Sequence, residues 1–402
     1  MRILQICNKP PYPPQDGGAI GMNNVTQGLI EAGHSVKLIV VNPPKHHVNI
    51  SDLPAEYVLN TRIELVPIDT DVKPLDAFFN LFTSKSYHVQ RFISNDFNQK
   101  LKAILKKGTF DIIQVESIFL MGYLKTLRKY SSAKIVLRAP NIEYRIWERM
   151  TSQAGNPLKK AYLALLTRRL RAWELEQINR ADAVYTVTIN DLDFFREMGC
   201  NKPITYIPTG IDVTKKTALD FSRVEFPSLF HIGALDWLPN QEAVQWFLKN
   251  VWEKVHLQFP GLKFYLAGRN TPQWILNLKM PNVEVLGEVA DAGEFITSKS
   301  VMLVPLMSGS GMRVKIIEGM MLGKTIISTS IGIEGIIHEN NKNVLIADTP
   351  DEFYNAIVKC INDRAFCEAI GRNAHLNAKE NYDNEVLTQK LVAFFTDLLK
   401  KS

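Results

Sequence analysis

Short, continuously apolar, β-branched runs alternate along this chain with longer helical patterns, and that rhythm narrows the fold more than any other feature. The runs lie near Ile3–Cys7, Val36–Val41, Ile63–Val66, Asp111–Val115, Lys134–Arg138, Ala183–Val187 and Ile204–Ile207. A second set lies near Leu229–Ile232, Lys263–Leu266, Val283–Leu286, Val301–Val304, Thr325–Ser328 and Val344–Ile346. Strands that alternate apolar and polar residues bury one face. Runs apolar throughout bury both, as the strands of a parallel sheet covered by helices do. Helices are expected to start near Asn240, Gly311 and Pro350. The reading is an α/β protein with two doubly wound parallel sheets.

The 402 residues suffice for two or three domains, each with its own core. The expected joint lies near Pro208–Thr217, where Pro-Thr-Gly precedes a polar, Lys-rich run. This gives domains at 1–207 and 208–375 and a final helical segment at 376–402. The tail from about Arg372 is polar, with an apolar stripe of Val386, Leu387, Leu391, Phe394 and Leu398 that needs a surface to pack on.

Composition excludes several classes. With 46% hydrophobic and 22% charged residues the chain is an ordinary globular one. A net charge of +6 suits anionic ligands such as nucleoside diphosphates, or an anionic membrane surface. It is too diffuse for nucleic acid, and no nucleic-acid-binding signature accompanies it. Cys7, Cys200, Cys360 and Cys367 form no Cys-x-x-Cys pair, so free thiols in a reducing compartment are expected. The first apolar run breaks at Pro10–Pro14, short of a signal peptide. No run reaches the roughly 20 apolar residues of a membrane span. A cytoplasmic protein is expected.

In open α/β sheets, ligands bind beyond the carboxyl ends of the strands. The first such loop, Asn8–Gly21, carries Gly17 and Gly18 before a helical pattern through Val25, Leu29 and Ile30. It reads either as a tight turn or as backbone amides that approach a phosphate at a helix N-terminus. A later loop and helix run from Pro305 to Gly335. Gly309, Ser310, Gly311 and Met312 lead into Arg313 and Lys315, cations in a helical first turn where the helix dipole disfavours them. An anion would neutralise them. Glu318 shares a helix face with Lys315, which reads either as a solvated surface pair or as one residue meeting a phosphate while the other accepts hydrogen bonds from sugar hydroxyls. Between these loops, Gly233–Asn240 ends in a candidate N-cap, Asn240, which is equally a candidate ligand. Arg269 follows another strand and reads as a phosphate ligand or a surface ion pair. Gly287-Glu-Val289 follows the next.

These residues resemble glycosyltransferase family 4, retaining enzymes of the GT-B fold, over nearly the whole chain. The resemblance rests on Gly17-Gly18, Ile207-Pro-Thr-Gly-Ile-Asp212, Phe230–Asn240, Gly287-Glu-Val289 and, most specifically, Gly309–Gly335 ending in Gly332-Ile-Glu-Gly335. Arg138-Ala-Pro-Asn-Ile-Glu143-Tyr-Arg-Ile-Trp-Glu-Arg149 is similar to a segment of a subgroup that makes cell-envelope polysaccharides.

The resemblance implies two Rossmann-like domains facing across a cleft, with a nucleoside diphosphate sugar held mainly by the second. Val289 would flank the base, Glu318 would hold the ribose, and Arg313 and Lys315 would stabilise the leaving diphosphate. Gly17 and Gly18 would approach the phosphates after closure. Gly233, Asn240, Arg269, Gly309, Ser310, Gly311 and Met312 would complete the donor site. Asn141 and Glu143 would lie on the acceptor side, and Glu116, where many members carry a histidine, would be a catalytic residue. The acceptor would be a glycan or a lipid-linked glycan, and the last helix would return to the first domain. Where the family often has a first glutamate, this chain has Ser310. Where many members carry a histidine, it reads Gln114-Val-Glu116-Ser117. Where the subgroup often has histidine before Asn141, it has Pro140.

No essential metal is expected, because Asp69-Thr-Asp71 and Asp191-Leu-Asp193 read as a connection and a helix surface. His46-His47 reads as a solvated loop, and Trp147, Trp237 and Trp246 as packing residues. The basic segment Leu158–Ala181 reads as an amphipathic helix on the sheet, with peripheral contact to an anionic membrane as the sharper alternative. A sugar-nucleotide epimerase and a non-catalytic nucleotide-sugar-binding protein are the rival classes. The first needs acid and base groups near the sugar; the second draws on the missing histidine and first glutamate.

Overall fold

The structure, a computed structural model, describes residues 1–211, 219–308 and 312–400. It divides into two compact units, Met1–Gly210 with Leu387–Ser402, and Ile211–Val386. The expected strands all form. In the first unit they are β1 (Arg2–Cys7), β2 (Ser35–Asn42), β3 (Glu64–Pro67), β4 (Ile112–Val115), β5 (Lys134–Ala139), β6 (Ala183–Thr186) and β7 (Ile204–Tyr206). They pair in parallel in the order β3-β2-β1-β4-β5-β6-β7. The second unit holds β8 (Glu225–Ile232), β9 (Lys263–Ala267), β10 (Val283–Gly287), β11 (Lys299–Val304), β12 (Thr325–Ser328) and β13 (Leu345–Ile346). These pair in parallel as β10-β9-β8-β11-β12-β13.

The unbroken apolar runs are explained by the two faces of each sheet. In the first unit Leu4, Ile6, Ile113, Val115, Ile135 and Leu137 enter one core cluster. Their chain neighbours Ile3, Cys7, Ile112 and Val136 enter another on the opposite face. That second cluster is closed by Met22 and Leu29 of the helix Gly17–Glu31 and by Leu387, Leu391, Phe395 and Leu398 of the helix Asn384–Lys400. The fully buried ring is therefore Phe395, while the expected Phe394 is half-buried. The helical tail is also interrupted. Arg364–Tyr382 ends before Asp383, whose extended backbone bridges to Ile211, and the last helix starts at Asn384.

In each sheet the strand order reverses direction at one point, between β1 and β4 and between β8 and β11. All strands being parallel, the loops that leave these strands emerge at one edge on either side of that point, where ligands of such sheets bind.

Candidate active site

In the second unit the loop after β8 and the helix Val314–Met321 after β11 meet at the switch point. Lys315 Nζ donates to Asn240 Oδ1 at 2.8 Å and stands 3.5 Å from His231 Nε2. His231 lies on β8, fully buried, with Nδ1 2.9 Å from the carbonyl of Leu303 on β11. That carbonyl needs a donor, so Nδ1 carries the proton and Nε2 is left to accept from Lys315. Burial and the Lys315 charge hold the imidazole well below its usual pKa, hence neutral.

Asn240 is not the helix cap expected from its position. The helix Leu238–Phe247 begins before it, with Trp237 as N-cap and Pro239 in the first turn. Asn240 is buried inside that turn, and its Nδ2 donates to Ala234 O at 2.8 Å, so its Oδ1 faces Lys315. Trp237 itself is 40% exposed, where packing was expected. Gly233 makes room: a Cβ there would stand 2.9 Å from Asn240 Nδ2 and 3.2 Å from Lys315 Nζ. Gly268, after β9, is more tightly constrained, because a Cβ would overlap the carbonyl of Gly233.

Arg313 is the N-cap residue of Val314–Met321 and is buried, its guanidinium reaching towards Ile331 O at 3.5 Å. Lys315 is half-buried in the first turn. Burial, with the Arg313 charge added, lowers the Lys315 ammonium to about 7. Two cations at a helix N-terminus oppose the dipole, and the arrangement is one that a bound polyanion would relieve. Met312 and Glu318 are half-buried on either side of this turn. Arg269 and Val289 follow β9 and β10 at the same sheet edge, both half-buried, and the Arg269 carbonyl accepts from Leu235 N at 2.9 Å. Gly309, Ser310 and Gly311 lie outside the described residues.

In the first unit the switch point holds a buried polar set. Gln5 on β1, Gln114 on β4 and Arg138 on β5 point to the same face, and all three converge on Glu116 just past β4. Gln5 Nε2 donates to Oε1 at 2.5 Å, Gln114 Nε2 donates to the same oxygen, and Arg138 Nη1 donates to Oε2 at 3.0 Å. Glu116 and Arg138 are 1% and 3% exposed, an enclosed ion pair. Burial works against the Arg138 charge, but the carboxylate overrides it and holds the guanidinium above its usual pKa.

Gly17 and Gly18 open the helix Gly17–Glu31 and are exposed. Asp16 caps this helix, accepting from Gly18 N and Ala19 N at 2.9 and 3.0 Å, and pairs with Lys9 at 2.5 Å. A phosphate reaching these amides would compete with the Asp16 carboxylate.

Asn141 and Glu143 follow β5, where the helix Glu143–Ser152 starts. Its first amides, of Glu143 and Tyr144, donate to the buried Glu174 carboxylate at 3.0 Å each. Burial pushes the Glu143 carboxyl up to about 7, against a hydrogen bond from Asn141. Burial likewise raises Glu174 to about 8, with the Glu143 charge contributing.

Among the described residues, no group of three or more His, Cys, Asp or Glu side chains is placed to hold a metal ion. Asp69 and Asp71 lie in the connection after β3, and Asp191 and Asp193 on the helix Ile189–Glu197. The residue missed in sequence is His231. Its one signal was a histidine inside the otherwise apolar run Leu229–Ile232.

Two doubly wound parallel sheets with a cationic helix start at the second switch point define the GT-B class of glycosyltransferases. Comparison with known proteins agrees. Glycosyltransferase Family 4 matches residues 16–215 and Glycosyl transferases group 1 matches residues 226–363, together most of the chain. The chain belongs to glycosyltransferase family 4, and it is a glycosyltransferase. It resembles an uncharacterized 44.6 kDa protein in the cps region of Klebsiella pneumoniae, 21% identical over 96% of this chain and 97% of that one. Among solved structures it resembles sucrose-phosphate synthase from Thermosynechococcus elongatus (TM-score 0.73, 14% identity, 100% of both chains). It also resembles Anabaena HepE in complex with UDP-glucose (TM-score 0.68, 15% identity, 99% of this chain and 100% of that one).

Proposed function

We propose that the protein moves a sugar from a nucleoside diphosphate sugar to a glycan or lipid-linked acceptor in cell-envelope polysaccharide synthesis, with retention at the anomeric carbon and without an essential metal. The observation that carries the reading is Lys315, a lysine with a lowered pKa held by Asn240 and His231 beside Arg313 at a helix start. When the anomeric C–O bond breaks, negative charge grows on the leaving diphosphate. Cations already in position stabilise that charge without reorganising. Arg313 and Lys315 take this role, and Glu318, one turn further along the helix, holds donor hydroxyls. Gly233, Arg269, Val289 and Met312 complete the donor side.

On the acceptor side Asn141 and Glu143 meet the incoming hydroxyl, and the half-buried Glu143 carboxylate takes its proton. Glu116, enclosed with Arg138, shapes the first switch point and does not itself meet substrate. HepE, solved with UDP-glucose, supports a nucleotide-sugar donor, and the Klebsiella relative from a cps region supports polysaccharide synthesis.

The test is a panel of nucleoside diphosphates and their sugars read by thermal shift, since a ligand stabilises the state it binds. Donor turnover is then measured with and without EDTA, and the anomeric configuration of the product is read by NMR. One nucleoside diphosphate is expected to raise Tm, turnover to survive EDTA, and Lys315→Ala to lose both binding and turnover. No stabilisation by any nucleotide, or full turnover in Lys315→Ala, would sink the assignment.

A further inference from the structure

The connection after β3 in the first unit exposes more apolar surface than its length explains. Val72, Leu75, Phe78, Phe79 and Phe82 are 62, 73, 55, 65 and 77% exposed, and all come from the short helix Pro74–Asn80 and its flanks. Phe78 packs edge-on against Phe79 and Phe82, with ring centroids 5.9 and 5.5 Å apart, so the rings form one cluster. The cluster is held from behind. Ala77 packs with Tyr87, Tyr162 and Leu166, and Arg169 of the helix Pro157–Ile178 donates to the carbonyls of Asn80 and Leu81 at 3.0 Å. The rings are thus presented outward by a fixed support. Contiguous exposed apolar patches of this kind mark interaction surfaces.

A groove of about 760 Å³ begins two residues past Phe82, and Lys85, Lys125, Arg168 and Trp173 are among its lining. Among the described residues no carboxylate pairs with Lys85, Lys125 or Arg168. The acid in the lining, Glu176, is engaged by Arg180 at 3.1 Å. The helix that supports the cluster carries Leu158, 83% exposed, in its first turn, followed by exposed Lys159 and Lys160. Asp69 is tied to Lys73, and Asp76 also acts on that lysine. Aromatic rings beside uncompensated cations match the layered chemistry of an anionic bilayer surface, with apolar material just beneath phosphate groups. A second copy of this chain fits poorly, because a symmetric contact would bring like cations together.

We propose that this surface docks the protein on an anionic phospholipid bilayer. Phe78, Phe79 and Phe82 enter the interfacial layer, and Lys85, Lys125 and Arg168 receive lipid phosphate. The inference does not depend on the donor chemistry, which thermal shift with nucleotides reads separately.

The full chain is sedimented with phosphatidylcholine vesicles with and without phosphatidylglycerol. Binding is expected only with phosphatidylglycerol and is expected to weaken with salt. Phe78→Ser/Phe79→Ser/Phe82→Ser and Lys85→Ala/Lys125→Ala/Arg168→Ala should each reduce it at least about tenfold, with nucleotide-induced stabilisation unchanged. Should the triple serine variant misfold, Phe82→Ser alone, at the most exposed ring, reads the same direction. Failure to sediment, equal binding to phosphatidylcholine alone, or undiminished binding by the serine variants overturns the proposal. So does sedimentation velocity showing a dimer that the serine variants disperse, which assigns the patch to a second copy.

Discussion

Replacing Lys315 with methionine should move stability and ligand affinity in opposite directions. Methionine keeps most of the side chain's length and apolar stem and removes its charge. In the folded protein the Lys315 ammonium sits at about 7, against an ordinary value of 10.5. The depressed value means that holding the charge disfavours the folded state. That cost is fully present below pH 7 and is relieved as pH rises from 7 towards 10.5, where the folded state has already released a proton the unfolded state still holds. At about 1.4 kcal/mol per pKa unit the ceiling is roughly 5 kcal/mol. Solvent access to a half-buried chain and the lost hydrogen bond to Asn240 cut this to about 1–2 kcal/mol. Calorimetry at pH 6.5 should then show the second unit of Lys315→Met melting about 2–6 °C higher than wild type. The same variant loses a charge-assisted hydrogen bond to the diphosphate, worth about 1.5–3 kcal/mol, so affinity falls about 10- to 150-fold. Wild-type binding at pH 8 should take up close to one proton, read as a buffer-dependent heat in titration calorimetry, and the variant should take up none. A variant that melts at or below wild type and binds nucleoside diphosphates as tightly would refute the reasoning, leaving Lys315 an ordinary structural lysine.

Arg138→Met leaves the Glu116 carboxylate enclosed without its counter-charge, and chemical denaturation should show a loss of about 3–5 kcal/mol. With Glu143 raised to about 7 by burial, transfer should climb as pH rises through that value and its carboxylate forms. Glu143→Gln should flatten that limb of the pH–rate profile while thermal shift still reports donor binding. Its charged and polar neighbours Glu174 and Asn141 remain in place in that comparison. Gly268→Ala drives a methyl group into the Gly233 carbonyl and should lower stability by about 1–3 kcal/mol, measured by the same denaturation series.

The central strands were legible because they are buried on two faces, so that Ile3 and Leu4, or Ile112 and Ile113, are apolar for two different cores. The cationic helix start at Arg313 and Lys315 was legible because it violates the helix dipole. What stayed hidden depends on neighbours that sequence spacing does not bring together. Glu116 and Arg138 meet only through the β4–β5 register, which pairs Val115 with Leu137. His231 acquires its meaning from Lys315, 84 positions along the chain. Asn240 looked like a cap because caps and buried amides use the same side chain. The exposure of Phe78, Phe79 and Phe82 leaves no mark in the sequence, since no periodicity distinguishes an apolar residue packed inward from one held outward.

The last helix sets an order of events during synthesis. Domains of a growing chain usually fold as they emerge, the amino-terminal one first. Here the apolar face formed by Ile3, Val36 and Leu38 is covered in part by Leu387, Leu391, Phe395 and Leu398. The first unit therefore starts to fold before the second and is completed after it, its sheet waiting, partly open, until Leu387–Leu398 have been made.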